Sequence, residues 1–333
     1  MIPEKVKKTL KKQHYKIVEN HSAIQICRWT KKSIRDEGVC FKEKFYGIKS
    51  HLCCQMTPTV IWCPNRCLHC WRATELTIGD EMKGKMDSPK KIVDGCIQAQ
   101  KKLLEGFKIL PKTKHKTLSK ANMEKWEEAQ EPMHFSISLS GEPTIYPKIG
   151  ELITEIRRRG KTSFLVTNGL YPEKIKELVI KKQLPTQLTV SVNSPNKELY
   201  IKFHRSSKKD AWEILNETLE ILSGLKSRTV FRMNLIRNLN MEDEHVKEYV
   251  ELINKAKPKF VHVKGFMSVG SARERLGYER MPTHKEITKF SKELVKELNK
   301  LGEDYKILDE KIESRVLVLG KNKEDMKIKK SEV

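Results

Sequence analysis

Seven of the eight cysteines fall between Cys27 and Cys70, and their spacing constrains this chain more than any other feature. Cys63, Cys67 and Cys70 form a C-x3-C-x2-C loop. A loop this short can aim three thiolates at three irons of one cuboidal 4Fe–4S cluster. Such clusters usually take four cysteines, so a tricysteine loop leaves one iron free for a non-protein ligand. A structural zinc site is the bland alternative, but zinc prefers four ligands in paired short spacings. His69 could supply a fourth ligand by composition, yet it adjoins Cys70 and points poorly. Cys27, Cys40 and Cys53 follow C-x12-C-x12-C. Three unrelated buried cysteines rarely give that regularity, and it predicts a second 4Fe–4S cluster, again with an open iron. Cys54 adjoins Cys53 and Cys96 stands alone, so both are expected in the core.

Composition narrows the partner and the compartment. The 333 residues carry 66 Lys+Arg against 43 Asp+Glu, a formal net charge of +23. This points to a polyanion, nucleic acid first, with a Lys/Glu-rich surface of the thermophile kind as the alternative. No apolar run approaches the roughly 20 residues of a spanning helix. The first residues lack the apolar stretch and cleavage site of a secretory signal. A reducing, cytoplasmic setting is therefore expected, where clustered cysteines are ligands rather than disulfides.

Residues 1–56 read as a basic, largely irregular extension carrying the second cysteine set, with a short lysine-lined helix. Residues 57–62 read as a strand running into the cysteine loop. From residue 134 the pattern alternates regularly. Apolar strands at 134–139, 163–166, 187–192, 229–235 and 259–263 are each followed by a helix, as in a covered parallel sheet. Residues 107–132 interrupt the alternation as an insertion with a basic middle and a helical end at 123–130. Six βα units with right-handed crossovers predict an α/β fold, a partial (βα)6 TIM-like barrel over 57–301. Residues 302–333 read as a closing strand pair and a frayed, charged tail.

Ligand-binding loops of βα folds lie at the carboxyl ends of the strands. Ser140, Gly141, Glu142 and Pro143 follow the second strand, Thr167 and Asn168 the third, Ser191 and Asn193 the fourth. Arg232 and Asn234 lie on the fifth, and residues 264–267 end the sixth. Each is also ordinary turn chemistry when taken alone.

In this order, the features resemble the radical S-adenosylmethionine (SAM) superfamily. There the SAM amino and carboxylate groups chelate the open iron of the Cys63, Cys67, Cys70 cluster. Ser140-Gly141-Glu142 stands where the superfamily has a Gly-Gly-Glu-type motif, departing from it at Ser140. The resemblance implies that Ser140, Gly141 and Glu142 bind the SAM amino group. Thr167, Asn168, Ser191, Asn193 and Arg232 would bind its ribose and carboxylate, with adenine against 264–267. The paired tricysteine sets, with Phe45-Tyr46-Gly47-Ile48, Gln55-Met56-Thr57-Pro58, Cys67-Leu68-His69-Cys70-Trp71-Arg72 and residues 138–144, resemble the tRNA 4-demethylwyosine synthases over roughly 20–320. That resemblance implies a carbon–carbon lyase acting on N1-methylguanosine beside the anticodon of tRNA(Phe). Pyruvate would supply two carbons to close the third ring of 4-demethylwyosine. It also implies two 4Fe–4S clusters and a monomer of the archaeal form. Lacking a flavodoxin-like domain, such a form depends on an external flavodoxin- or ferredoxin-type donor.

Pyruvate would be held by the second cluster or as a Schiff base on Lys42, with Lys44 and Lys49 as rivals. Base and phosphate contacts would come from Trp29, Tyr46, Trp71, Arg72, His204, Arg205 and residues 273–275. Two other readings stand beside this one. One is a radical SAM enzyme with an auxiliary cluster acting on a peptide or small molecule. The other is a non-catalytic metal-containing RNA-binding protein.

Overall fold

The structure, a computed structural model, describes residues 2–108 and 120–333. The basic middle of the expected insertion lies outside the described residues. Its helical end forms as Met123–Glu128, capped by the Asn122 side chain accepting from the Lys125 N–H. The chain divides into two compact units: Met1–Ile61, Lys83–Leu165 and Lys327–Val333 in the first, Trp62–Met82 and Val166–Met326 in the second.

The first unit is built on β1 (Lys16–Val18), β2 (Ser22–Gln25), β3 (Cys53–Thr57), β4 (His134–Ile137) and the start of β5 (Thr162–Thr167). β3, β4 and β5 run parallel, while β2 is antiparallel to β3 and β1 to β2. Residues 1–56 are thus not an irregular extension. They add two strands of three and four residues outside β3, too short to show a period of two. The expected strand at 57–62 lies earlier, at Cys53–Thr57. Pro58 offers no N–H to a ladder and closes it. Trp62 keeps only an isolated bridge to Gly79. The Pro89–Leu104 and Ile149–Arg158 helices bury Ile92, Val93, Ile97, Leu152, Ile153 and Ile156.

The second unit carries β6 (Gln187–Ser191), β7 (Arg228–Leu235) and β8 (Phe260–Gly265) in parallel. β10 (Val316–Gly320) pairs antiparallel with β8, and β9 (Lys306–Lys311) with β10, the closing pair the sequence predicts. Helices Pro172–Ile180, Ala211–Ser223, His245–Ala256 and His284–Lys300 intervene. Lys197–His204 forms one more, capped by Asn196. β1 and β9 each pair on one side only, so the parallel-rich sheet is open and does not close into a barrel.

The tail is not frayed. The Arg228 guanidinium donates to the Asp325 and Met326 carbonyls at 2.7 Å each. Further on, the Ile328 N–H donates to the Tyr46 carbonyl at 3.1 Å and Lys327 Nζ to the Lys44 carbonyl at 2.8 Å. The tail's many charges mask the buried Met326 in the sequence. No helix among the described residues is long and apolar enough to cross a membrane.

Candidate active site

In the second unit, Cys63, Cys67 and Cys70 are half-buried and are not joined in disulfides. Backbone bonds shape their loop: Cys63 N–H to the Gly79 carbonyl, Arg66 N–H to His204, Leu68 N–H to Phe203, at 2.8, 2.8 and 3.0 Å. The Leu68 side chain packs on Phe203, Ile236 and Phe266. The loop after β8 grips the other side, with the Ser271 N–H donating to the Trp71 carbonyl at 3.0 Å. Gly270 has φ +55°, and a Cβ there would stand 2.1 Å from the Trp71 carbonyl oxygen. Arg275 completes the grip. Its Nε donates to the Leu68 carbonyl at 3.0 Å, its Nη2 to Cys70 and Arg72, and its Nη1 pairs with Glu75. Expected to meet phosphate, Arg275 is instead committed to the cysteine loop.

Burial pushes the Cys67 thiol well up; the neighbouring Cys63 and Cys70 charges add to this, and Arg275 opposes it. Among the described residues no three His, Cys, Asp or Glu side chains converge on a single-ion position. Three soft thiols on one short loop suit, by their donor chemistry, three irons of an iron–sulfur cluster.

Five of the eight predicted SAM contacts lie in this unit with the loop. Asn168 Nδ2 faces Cys63 Sγ at 4.0 Å, and its Oδ1 accepts from the Leu170 N–H at 3.0 Å. Thr167 Oγ1 accepts from the Gly169 N–H. Asn193 Nδ2 lies 3.3 Å from His69 Nε2. His69 stacks on Phe203 with centroids 5.1 Å apart. Arg232 donates to Ser191 Oγ at 2.8 Å and makes no ion pair among the described residues. Burial lowers its pKa to about 10, so it remains a cation at neutral pH, able to receive a carboxylate.

Ser140, Gly141 and Glu142 belong to the first unit. Ser140 Oγ donates to the Val60 carbonyl at 2.6 Å, and the Ser140 carbonyl accepts from Thr57 Oγ1. Gly141 takes φ +65°. Glu142 Oε1 accepts from the Thr144 N–H and hydroxyl. Gly265, expected beside adenine, serves packing: a Cβ there would stand 2.4 Å from Ile287 Cδ1.

The first unit holds the second cysteine set. Cys27 and Cys40 occupy the N-cap positions of the Arg28–Ile34 and Phe41–Tyr46 helices, and Cys53 opens β3. Burial pushes the Cys53 thiol up; Lys42 opposes this, and the Cys27 and Cys40 charges add to it. Strand alternation turns Cys54 the other way, into the core, where it hydrogen-bonds Cys96. Cys53 and Cys54 thus face opposite sides of the strand.

Lys42 Nζ donates to Ser136 Oγ at 2.7 Å and lies 4.5 Å from the Phe164 ring centroid. Ser136 and Phe164 are register partners in β4 and β5. They lie two residues beyond the paired Cys53, His134 and Thr162. The second set therefore sits at the amino ends of β3–β5, opposite to where sequence reasoning placed active loops, and Lys42 reaches inward along the sheet. The neighbouring His134 has its pKa lowered to about 4, by burial first and then by Lys42. Its Nε2 accepts from the Lys49 N–H, so Nδ1 faces Thr162 Oγ1 as donor.

The rival lysines are placed differently: Lys49 Nζ pairs with Glu128 at 3.0 Å, and Lys44 is exposed. Ser136, Phe164 and His134 escaped sequence reading because strand register alone brings them to Lys42. Of the expected RNA contacts, Tyr46 and His204 are buried, His204 against Tyr200. Arg72 lies 4.3 Å over the half-exposed Trp71 ring.

Residues 57–253 match the Radical SAM superfamily, and residues 255–321 match the family described as wyosine base formation. The S-adenosyl-L-methionine-dependent tRNA 4-demethylwyosine synthase of Pyrococcus abyssi is 43% identical, over 97% of this chain and 91% of its own length. A solved structure of TYW1 with a lysine-pyruvate adduct bound is 35% identical, covers 99% of both chains and superposes with a TM-score of 0.82. Archaeal TYW1 follows at 33% identity, 99% of both chains and a TM-score of 0.74.

Proposed function

Because this chain belongs to the family of S-adenosyl-L-methionine-dependent tRNA 4-demethylwyosine synthases, we propose that it condenses N1-methylguanosine of tRNA(Phe) with pyruvate held on Lys42. Radical SAM chemistry on tRNA is the family's reaction, and it uses SAM with a 4Fe–4S cluster. When bound at Cys63, Cys67 and Cys70, that cluster supplies the electron that cleaves SAM, so that an unactivated methyl hydrogen can be removed. Arg232 and Ser191 would receive the SAM carboxylate, Thr167, Asn168 and Asn193 its ribose, and Ser140, Gly141 and Glu142 its amino group.

The observation that carries the pyruvate assignment is the setting of Lys42. Its amine projects onto Ser136 Oγ and the Phe164 face, beside the Cys53 thiol. Condensation joins Nζ to the keto carbon of pyruvate and expels that oxygen as water. Neutral His134 adds no competing cation beside the amine. A relative carrying a lysine-pyruvate adduct supports this assignment. Cys27, Cys40 and Cys53 would hold a second 4Fe–4S cluster next to the adduct. We take the enzyme to act as a cytoplasmic monomer, reduced by an external flavodoxin or ferredoxin.

Anaerobic incubation with pyruvate and a hydride reductant, followed by peptide mass analysis, tests the role of Lys42. A reduced adduct on Lys42, absent from Lys42→Arg, is expected; an adduct on Lys44 or Lys49 overturns it. Incubation with dithionite, SAM, pyruvate and N1-methylguanosine tRNA should yield the mass of the tricyclic base, and its absence refutes the reaction.

A further inference from the structure

The Arg28–Ile34 helix and the turn after it surround a groove of about 420 Å³ with Arg28, Lys31, Lys32 and Arg35, against one acid, Glu37. None of the four cations makes an ion pair among the described residues. Charged helices elsewhere pair their cations: Lys174 and Lys181 with Glu177, Arg158 and Arg159 with Glu155, Lys300 with Glu297. Two of the groove cations are held in place without being neutralised. Lys32 Nζ lies 5.6 Å from the Trp29 ring centroid, and the Arg35 guanidinium 5.0 Å from that of Phe107. An aromatic face fixes a cation while leaving its N–H groups free. The helix itself is anchored, since Ile34 packs with Ile26, Leu104 and Ala129. Four like charges in one concavity, two of them held in place, repel each other. Glu37 can offset one of the four, and a polyanion would neutralise the rest.

We propose that this groove binds the phosphates flanking the reacting base of the tRNA. Ile26 and Arg28, on either side of Cys27, line it, and Cys27 caps the helix, so a loop presenting its base to the second cysteine set would lay its backbone across the helix. Arginine and lysine N–H groups aimed into a concavity suit successive phosphodiesters, and each phosphate neutralised releases counterions. The placement rests on the reading that the base meets pyruvate near Lys42.

The test is equilibrium binding of N1-methylguanosine tRNA to the full, cluster-loaded chain at several salt concentrations. Lys31→Glu/Lys32→Glu/Arg35→Glu should weaken binding by about tenfold or more and flatten the log–log salt slope by about two to three. Reversal of an exposed basic face on the His284–Lys300 helix of the second unit, Lys285→Glu/Lys289→Glu/Lys292→Glu, should leave the slope unchanged. An unchanged slope in the groove variant, or an equal loss from the control face, overturns the proposal. Iron content and melting temperature are measured alongside; if the glutamate variant fails to load, the glutamine set at the same positions decides by the same slope. Wild-type protein that binds the tRNA but forms no pyruvate adduct would refute the Lys42 reading while leaving the groove standing.

Discussion

Arg275 holds the first cysteine loop from outside. One planar fork donates to the carbonyls of Leu68, Cys70 and Arg72, and a lysine can satisfy only part of that set. Unpaired carbonyls in a half-buried loop cost roughly 1–3 kcal/mol each. Arg275→Ala should therefore lose iron at Cys63, Cys67 and Cys70, with Arg275→Lys intermediate. Iron and labile sulfide per chain measure this, and wild-type iron in the alanine variant would contradict it. The adjacent cysteines give a sharper contrast. With two clusters the chain should hold roughly eight irons; Cys53→Ala should remove about half, and Cys54→Ala none. The opposite result would reverse the ligand assignment. Both cysteine sets stand out in the sequence by residue type and spacing alone. The partners of Lys42 do not, since Ser136 and Phe164 reach it only through the pairing of β4 with β5.

The elements are pinned by buried polar contacts, and His21 is the clearest. Its Nδ1–H donates to the Pro58 carbonyl at 2.6 Å, and the Asp87 N–H donates to its Nε2 at 3.0 Å. Tyr146 donates to the Asp87 carbonyl at 2.6 Å. One ring thus joins the start of β2, the chain leaving β3 and the approach to the Pro89–Leu104 helix. Burial lowers the His21 pKa below its ordinary 6.5, with the Pro58 bond and Asp87 opposing. The unfolded chain then binds a proton that the folded chain resists, so this contribution is complete above pH 6.5 and is lost as pH falls below it. His134 and His204, both lowered to about 4, act with the same sign. Melting temperature should fall between pH 7 and 5, and less steeply in His21→Gln; parallel curves would exclude the pin. Long apolar alternations placed the inner strands correctly from sequence alone. The strands of three and four residues outside β3 were too short to read, and Pro58 moved the first parallel strand to the cysteines' own side.

At the scale of the whole molecule, the +23 charge overstates any binding face. Pairs such as Lys174–Glu177 and Lys300–Glu297 cancel within themselves, so the excess is spread over the cations outside such pairs. The last residues matter more than their polarity suggested. Ile328 and Lys327 bond the backbone of the Phe41–Tyr46 helix, which begins at Cys40 and carries Lys42. Deleting residues 327–333 should lower the melting temperature and the iron held by Cys27, Cys40 and Cys53 while sparing Cys63, Cys67 and Cys70. Equal losses at both sets, seen by iron analysis in Cys53→Ala and Cys63→Ala backgrounds, would count against a local role. Contacts separated by so much sequence form late in folding. During synthesis the helix bearing Cys40 and Lys42 emerges early and waits for its last partner. The second cysteine set therefore gains the support of these two bonds only once residue 328 has left the ribosome.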